Sequence, residues 1–311
     1  VAEDAPFFAD LADGPVGWRA VWLHADDGVR LRAAVWAGGA KGTVILLPGR
    51  TEYVEKYGRV AGDLRARGWS TVALDWRGQG LADRLTPDPM LGHVGAYEDY
   101  QRDLDAVLAF ARAEGLPAPF MLMGHSMGGS IGLRALYRNL GFRAAVFSAP
   151  MWGILMNGWQ RPLAEVVTTL AGFVGQAVRL TPGTGADSYL TREGFDGNVL
   201  TTDREMWGYM RGQLLVQPGL GLGGPSLRWL RTAMDDCAAL AQLPAPALPT
   251  ICALGTLERV VDPKPVHLRM AGWGAGQLDL YPGAEHEIMM EGPAVRARFF
   301  DRAASLFDAN R

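Results

Sequence analysis

Along the chain, short and wholly apolar runs alternate with amphipathic ones. WRAVWLHADDGVRLRAAVWAG, residues 18–38, has two β-rich runs around Asp26-Asp27-Gly28, which predicts a hairpin. GTVILLPG follows as a continuous apolar strand ending at Pro48-Gly49, then a helical stretch from about Glu52 to Arg67. STVALDWRGQG is a second buried strand with a glycine-rich exit. AYEDYQRDLDAVLAFARAE repeats apolar residues at Leu104, Val107, Leu108 and Ala111, a helical period. PFMLMGHS reads as a strand, MGGSIGLRALYRNL as a helix and RAAVFSAP as a strand. PTICALG and GQLDLYPG are two more strands, and a last helix runs from about Pro293 to Phe307.

Strands without polar alternation, separated by helices, imply a mostly parallel central sheet covered by helices on both faces. The alternation stops after Pro150. From Met151 to about Leu240 the chain is helical and irregular, rich in Trp, Met and Gly. The expected organisation is one α/β core, residues 1–150 and 241–311, with a helical cap inserted at 151–240.

Composition narrows the function classes. Hydrophobic residues make up 49% of 311, enough for a large core, and the net charge of −3 with no basic run argues against a nucleic-acid surface. Cys237 and Cys252 do not make a disulfide framework, and Cys252 lies in an apolar strand, where a thiol acts as a small hydrophobe. The first residues, VAEDAPFFADLADGPVGW, are acidic and carry no signal-peptide pattern. No run of apolar residues is long enough to span a membrane. The expected setting is cytoplasmic, with peripheral contact at the inner membrane face as an option, and oligomeric state is left open.

The candidate chemistry centres on GHSMG, Gly124 to Gly128. G-x-S-x-G between a strand and a helix is a nucleophile elbow, which exposes the serine hydroxyl above the sheet. Ser126 is therefore the candidate nucleophile, and the Met127 amide, at the start of the next helix, a candidate oxyanion donor. Of the five histidines, His286 sits in LYPGAEHEIMME just after the last strand, where open α/β sheets gather their catalytic groups. It is the candidate base. His125 would leave the elbow in another direction, and His93 reads as a structural histidine. The acid belongs after the preceding strand, where CALGTLERVVDPKPV offers Glu258 and Asp262. Asp262 before Pro263 has the signature of a helix cap, which favours Glu258 without removing Asp262. The second oxyanion donor is expected from the loop after VILLPG, at the Arg50 amide. The Arg50 side chain has two readings: a pair with Glu52 or Glu55, which is favoured, or a contact to a lipid phosphate.

Taken together, LLPGRTEYVEKY, VALDWRGQGLADR, GHVGAYEDYQRDL, GHSMGG, LERVVD and YPGAEHE resemble bacterial lysophospholipases of the monoglyceride-lipase-like branch of the α/β-hydrolase superfamily. The likeness runs from about Val44 to the C-terminus and weakens in the insertion. It implies an α/β-hydrolase fold with a helical cap, and a serine carboxyl-ester hydrolase needing no cofactor. Under it the nucleophile falls on Ser126, the base on His286, the oxyanion donors on Arg50 and Met127, and the acid on Glu258. Two departures stand out: Glu258 where the superfamily usually has Asp, and Pro48 where many relatives carry His.

The implied reaction is cleavage of a single-chain acyl ester, lysophospholipid or monoacylglycerol, through a Ser126 acyl-enzyme. Acyl transfer to an alcohol, a peptidase, and a binding module on a hydrolase scaffold are the alternatives. Trp152, Met156, Trp159, Met206 and Trp207 of the insertion are expected either to pack the cap or to form a wall for the acyl chain. GLGLGG, Gly219 to Gly224, follows no buried strand and reads as a flexible cap loop, not a dinucleotide site. No His, Cys and carboxylate cluster has metal-ligand spacing, so no metal site is expected.

Overall fold

A computed structural model describes residues 2–311. In chain order the strands are β1 (Trp18–His24), β2 (Arg30–Trp36), β3 (Thr43–Leu47), β4 (Ser70–Asp75), β5 (Phe120–His125), β6 (Ala145–Ser148), β7 (Thr250–Gly255) and β8 (Gly276–Tyr281). The helices are α1 (Ala9–Ala12), α2 (Gly58–Ala66), α3 (Asp99–Ala113), α4 (Met127–Leu136), α5 (Gln160–Phe173), α6 (Tyr189–Arg192), α7 (Arg204–Val216), α8 (Leu227–Ala241), α9 (Pro263–Ala271) and α10 (Pro293–Asp308).

The strands form one eight-stranded sheet in the order β1-β2-β4-β3-β5-β6-β7-β8. β1 and β2 pair antiparallel, β2 is antiparallel to β4, and every pair from β4 to β8 is parallel. β3, β4, β6 and β7 are buried at every position, as strands covered on both faces must be. The pleat sends alternate residues to opposite faces. Ile45, Leu47 and Leu122 join α3, α4, α8 and α9 in one core cluster. Val44, Leu46, Met121 and Met123 join α2 and α10 in the other. The helical stretch expected after Glu52 enters through a 3-10 turn, Val54–Tyr57, before α2 begins.

Residues between β6 and β7 form an insertion. Its last helix, α8, sends Trp229, Leu230, Ala233 and Met234 into the main core cluster, so this part of the insertion is built into the helical layer. α5 behaves differently. Only Thr168 and Ala171 of its fourteen residues are buried. Trp159, just before it, and Leu163, Val166, Leu170 and Phe173 recur at helical spacing and are 66, 51, 55, 56 and 84% exposed. Among the described residues, no helix is long and apolar enough to cross a membrane.

Candidate active site

The sharp turn between β5 and α4 places Ser126. Its backbone has φ 50° and ψ −119°, a conformation that side-chain-bearing residues rarely adopt. Close packing explains the flanking glycines. A Cβ on Gly128 would lie 2.0 Å from the Leu47 carbonyl oxygen, and one on Gly124 would lie 2.8 Å from that of Gly128. β3, β5 and α4 therefore close around the turn, and Ser126 stays partly exposed at the strand end.

His286 follows β8, and Glu258 follows β7, both at the carboxyl edge of the sheet. Glu258 Oε2 accepts from His286 Nδ1 at 2.7 Å, with both side chains under 5% exposed. Glu258 Oε1 accepts from the amides of Val260 and Val261 at 2.7 and 3.0 Å. Burial pushes the Glu258 carboxyl up, but the His286 ring and these two amides outweigh it and hold it below the ordinary carboxylate value. Asp262 is elsewhere engaged: it is the N-cap of α9, its Oδ1 accepting from the Lys264 amide at 3.0 Å. The structure thus brings Glu258, and not Asp262, to His286.

The loop after β3 is gripped from several sides. Trp76 Nε1 donates to the Pro48 carbonyl at 2.9 Å, and Gln79 Nε2 to the Gly49 carbonyl at 3.1 Å. The Thr51 amide donates to Gln79 Oε1 at 3.1 Å, and the Gly49 amide to the Glu52 carboxylate. Between them, the Arg50 amide has no acceptor among the described residues, and neither has the Met127 amide at the first turn of α4. These two amides are the candidate oxyanion donors.

Beneath this loop lies a group that the sequence reading missed. Glu52, Lys56, His125 and Glu287 are all buried and all in contact. Lys56 Nζ bridges Glu52 and Glu287 Oε1, the latter at 2.7 Å. His125 Nδ1 donates to the Ser148 carbonyl at 3.0 Å, and Nε2 stands 3.2 Å from Glu287 and 3.5 Å from Glu52. Burial opposes charge on His125 and on Glu287, yet attraction within the cluster prevails: Glu287 and Glu52 hold the His125 ring above its ordinary value. His125 and Lys56 hold Glu287 well below its own. Three of these groups converge as metal ligands would, within 4.8 Å. The Lys56 ammonium already lies between the two carboxylates as their cation. The cluster joins three distant segments, with Glu52 and Lys56 on one of them, so no local spacing could reveal it whole. Only the adjacency of Glu287 to His286 and of His125 to Ser126 hinted at it.

A cavity of about 410 Å³ opens over Ser126 and His286. Arg50, Lys56 and Met151 line it from the core side, and residues 183–192 with 222–225 roof it from the insertion.

A model of the Hydrolase_4 family (serine aminopeptidase, S33) matches residues 38–293. The chain belongs to this family. It is a lysophospholipase-like serine hydrolase of the α/β-hydrolase fold, similar to lysophospholipase L2 of Escherichia coli strain K12, 33% identical over 82% of this chain and 76% of the relative. This Hydrolase_4 member is also 25% identical to a monoacylglycerol lipase of Mycolicibacterium smegmatis, over 85% of this chain and 88% of that one. Its fold matches a monoglyceride lipase from Saccharomyces cerevisiae with a TM-score of 0.71 at 23% identity, covering 93% of this chain and 94% of that structure.

Three expectations need correction. None of Trp152, Met156, Trp159, Met206 and Trp207 lines the Ser126 cavity. Trp152 is core: it stacks 6.1 Å from Trp273 and donates to the Gly129 carbonyl at 3.2 Å. Met156 packs against the same cluster, Met206 is buried with α2 and α10, Trp207 sits edge-on to Tyr189, and Trp159 faces outward. These Trp and Met side chains fill the irregular joints of the insertion, and other residues, among them Thr184, Ser188, Tyr189 and Leu222, form the roof. GLGLGG is no flexible loop either. Residues 220–224 are buried, with Gly223 donating to the Met90 carbonyl at 2.7 Å and Gly224 to that of Gly185 at 2.7 Å. Finally, Arg50 does not pair with Glu52 or Glu55, because Lys56 holds the first and Arg32 the second.

Proposed function

We propose that this protein hydrolyses single-chain acyl esters of glycerol, lysophospholipid or monoacylglycerol, through an acyl-enzyme on Ser126. The observation that carries the reading is the 2.7 Å contact of Glu258 with His286 beside a cavity that His286 and Ser126 share. Named activities of the relatives support ester chemistry: one is a lysophospholipase, another a monoacylglycerol lipase.

In this reading Glu258 accepts a hydrogen bond from His286 Nδ1–H, which fixes the tautomer and leaves Nε2 as the base. His286 takes the Ser126 proton as Oγ attacks the ester carbonyl. The Arg50 and Met127 amides receive the charge that develops on the carbonyl oxygen, where one such donor is worth about 10²–10³ in rate. The bond to the glycerol oxygen breaks as His286 returns the proton to it. Water, deprotonated by His286, then releases the fatty acid and restores Ser126. The exposed stripe of α5 is the face that meets the lipid surface from which such substrates are drawn.

Purified protein given a monoacylglycerol or a lysophosphatidylcholine should release free fatty acid, and a fluorophosphonate probe should label Ser126. Ser126→Ala and His286→Ala should each lower kcat by several orders of magnitude, the double variant being no worse than either, because the members act as one unit. No labelling and no fatty-acid release from the wild type would refute the reading.

A further inference from the structure

Arg50 supplies more than an amide to the cavity. Its side chain runs to the seam between core and insertion. There Nη2 donates to the Gly223 carbonyl at 2.5 Å, and the guanidinium lies over the Trp229 ring, 5.3 Å from its centroid. Nε is buried with no acceptor, and among the described residues no carboxylate lies within ion-pair distance. Three buried cations near the sheet are treated differently, whereas Arg84 also lacks a carboxylate but spends its donors on four backbone carbonyls. Arg32 has Glu55 and Asp75, Arg77 has Asp103 and Asp27, and Lys56 has Glu52 and Glu287. Burial alone pushes Arg50 down to about 10, which still leaves it charged at neutral pH. A single carbonyl holds a guanidinium in place without balancing its charge.

Position says what would balance it. This residue lines the cavity over Ser126, and its guanidinium bonds the carbonyl of Gly223, a residue of the cavity roof. In a glycerophospholipid with one acyl chain, a run of single bonds similar in length to the arginine side chain separates the ester carbonyl from the phosphorus. The planar fork of a guanidinium matches two phosphate oxygens. Gly92 lets the guanidinium itself lie here, since a Cβ there would come within 3.0 Å of Nη2. We propose that the Arg50 side chain is an oxyanion subsite that receives the head-group phosphate of a lysophospholipid while its ester lies at Ser126. The proposal rests on the ester-hydrolase reading above and names the substrate that this site favours.

The competing role is a latch that only holds the Gly223 loop. Arg50→Gln removes the charge and, its side chain being two bonds shorter, the Gly223 bond too, so the two roles are separated by comparing substrates with and without a phosphate: a loosened loop affects both, a lost phosphate contact only one. The readout is kcat/KM for a lysophosphatidylcholine divided by kcat/KM for a monoacylglycerol of the same short acyl chain, both below their critical micelle concentrations. Any loss from a displaced amide is common to both substrates and cancels in this ratio. The ratio should fall about tenfold to a hundredfold in Arg50→Gln, mostly through KM, and less in Arg50→Lys, which keeps the charge without the fork. Glycerophosphocholine should compete with the monoacylglycerol in the wild type and not in Arg50→Gln. An unchanged ratio overturns the proposal and leaves the latch. Competition by inorganic phosphate but not by glycerophosphocholine also overturns it, making this a site for free phosphate. A wild type that cleaves neither ester sinks the hydrolase reading itself, a result distinct from the other two.

Discussion

Lys56 and Arg50 are two cations of one loop and one cavity, and the fold treats them in opposite ways. Lys56 belongs to the floor, where Glu52, His125 and Glu287 complete a buried cluster of an ammonium, an imidazole and two carboxylates. Arg50 belongs to the seam with the insertion, where it meets a carbonyl and an indole face but no carboxylate. The difference separates scaffold from recognition. A charge balanced inside the fold ties chain segments together: the cluster joins the loop after β3, the nucleophile turn and the base loop. A charge left unbalanced beside a cavity spends folding energy that a ligand can recover.

The same distinction sorts the two acidic residues after β7, and it yields the largest expected effect. Glu258 is engaged by His286 and Asp262 by the start of α9. Glu258→Gln should lower kcat by about 10⁴ by removing the carboxylate that stabilises the imidazolium and fixes its tautomer. Asp262→Asn should leave kcat intact and lose about 1 kcal/mol of stability or less. Steady-state kinetics and denaturant titration of both variants check this. The opposite pattern would move the acid to Asp262 and break the reading of Glu258 as an active-site group.

Next in size is the floor itself. Lys56→Met leaves Glu52 and Glu287 buried with His125 alone, and breaking a buried ion pair in this way loses about 3–5 kcal/mol. Arg50→Gln, which removes an unbalanced charge, should change stability by less than about 1 kcal/mol. The pH dependence sharpens the contrast. Glu287 titrates well below its ordinary 4.5, so its contribution is present above pH 4.5 and is lost as pH falls through the folded value. His125 titrates above its ordinary 6.5, so its contribution is present below pH 6.5 and is lost as pH rises through the folded value. Both hold in full between 4.5 and 6.5, and the wild type should lose this excess stability on either side of that window. In Glu287→Gln the acid-side loss should shrink. Equal denaturation midpoints for Lys56→Met and Arg50→Gln would erase the distinction between floor and seam.

What the sequence made legible follows from range. The parallel sheet was readable because strands buried on both faces leave continuous apolar runs such as TVILL and STVALD. The meeting of Glu258 with His286 was readable because both follow strands whose carboxyl ends share one edge of the sheet. The Lys56 cluster was not, since Glu52 and Glu287 lie 235 positions apart in number and each looks like an ordinary surface charge. The cavity roof was misread for a related reason. Trp and Met signal apolar burial, but not whether the burial is against ligand or against protein. Trp152 and Met206 bury against protein, and the roof is made by the plainer residues 183–192 and 222–225. Arg50 was read through its neighbours in sequence, and those neighbours pair with Arg32 and Lys56 instead.

The smallest effect expected lies on the outer face of the insertion, where apolar side chains, not charges, are unmatched. α5 turns Leu163, Val166, Leu170 and Phe173 to solvent on one side and packs the other on α8. If that stripe meets a lipid surface, Leu170→Ser with Phe173→Ser should weaken binding to phospholipid vesicles. Full burial of one such side chain is worth about 1.5–3 kcal/mol, and a stripe lying at the interface buries only part of each, so about tenfold is expected for the pair. Vesicle co-sedimentation measures this directly. Since neither residue lines the Ser126 cavity, kcat/KM for a short ester below its critical micelle concentration should stay at the wild-type value. Rates on vesicle-borne substrate should fall in step with binding. Unaltered sedimentation would detach the stripe from the lipid surface, and a matching loss on the soluble ester would show that the double variant had disturbed the insertion.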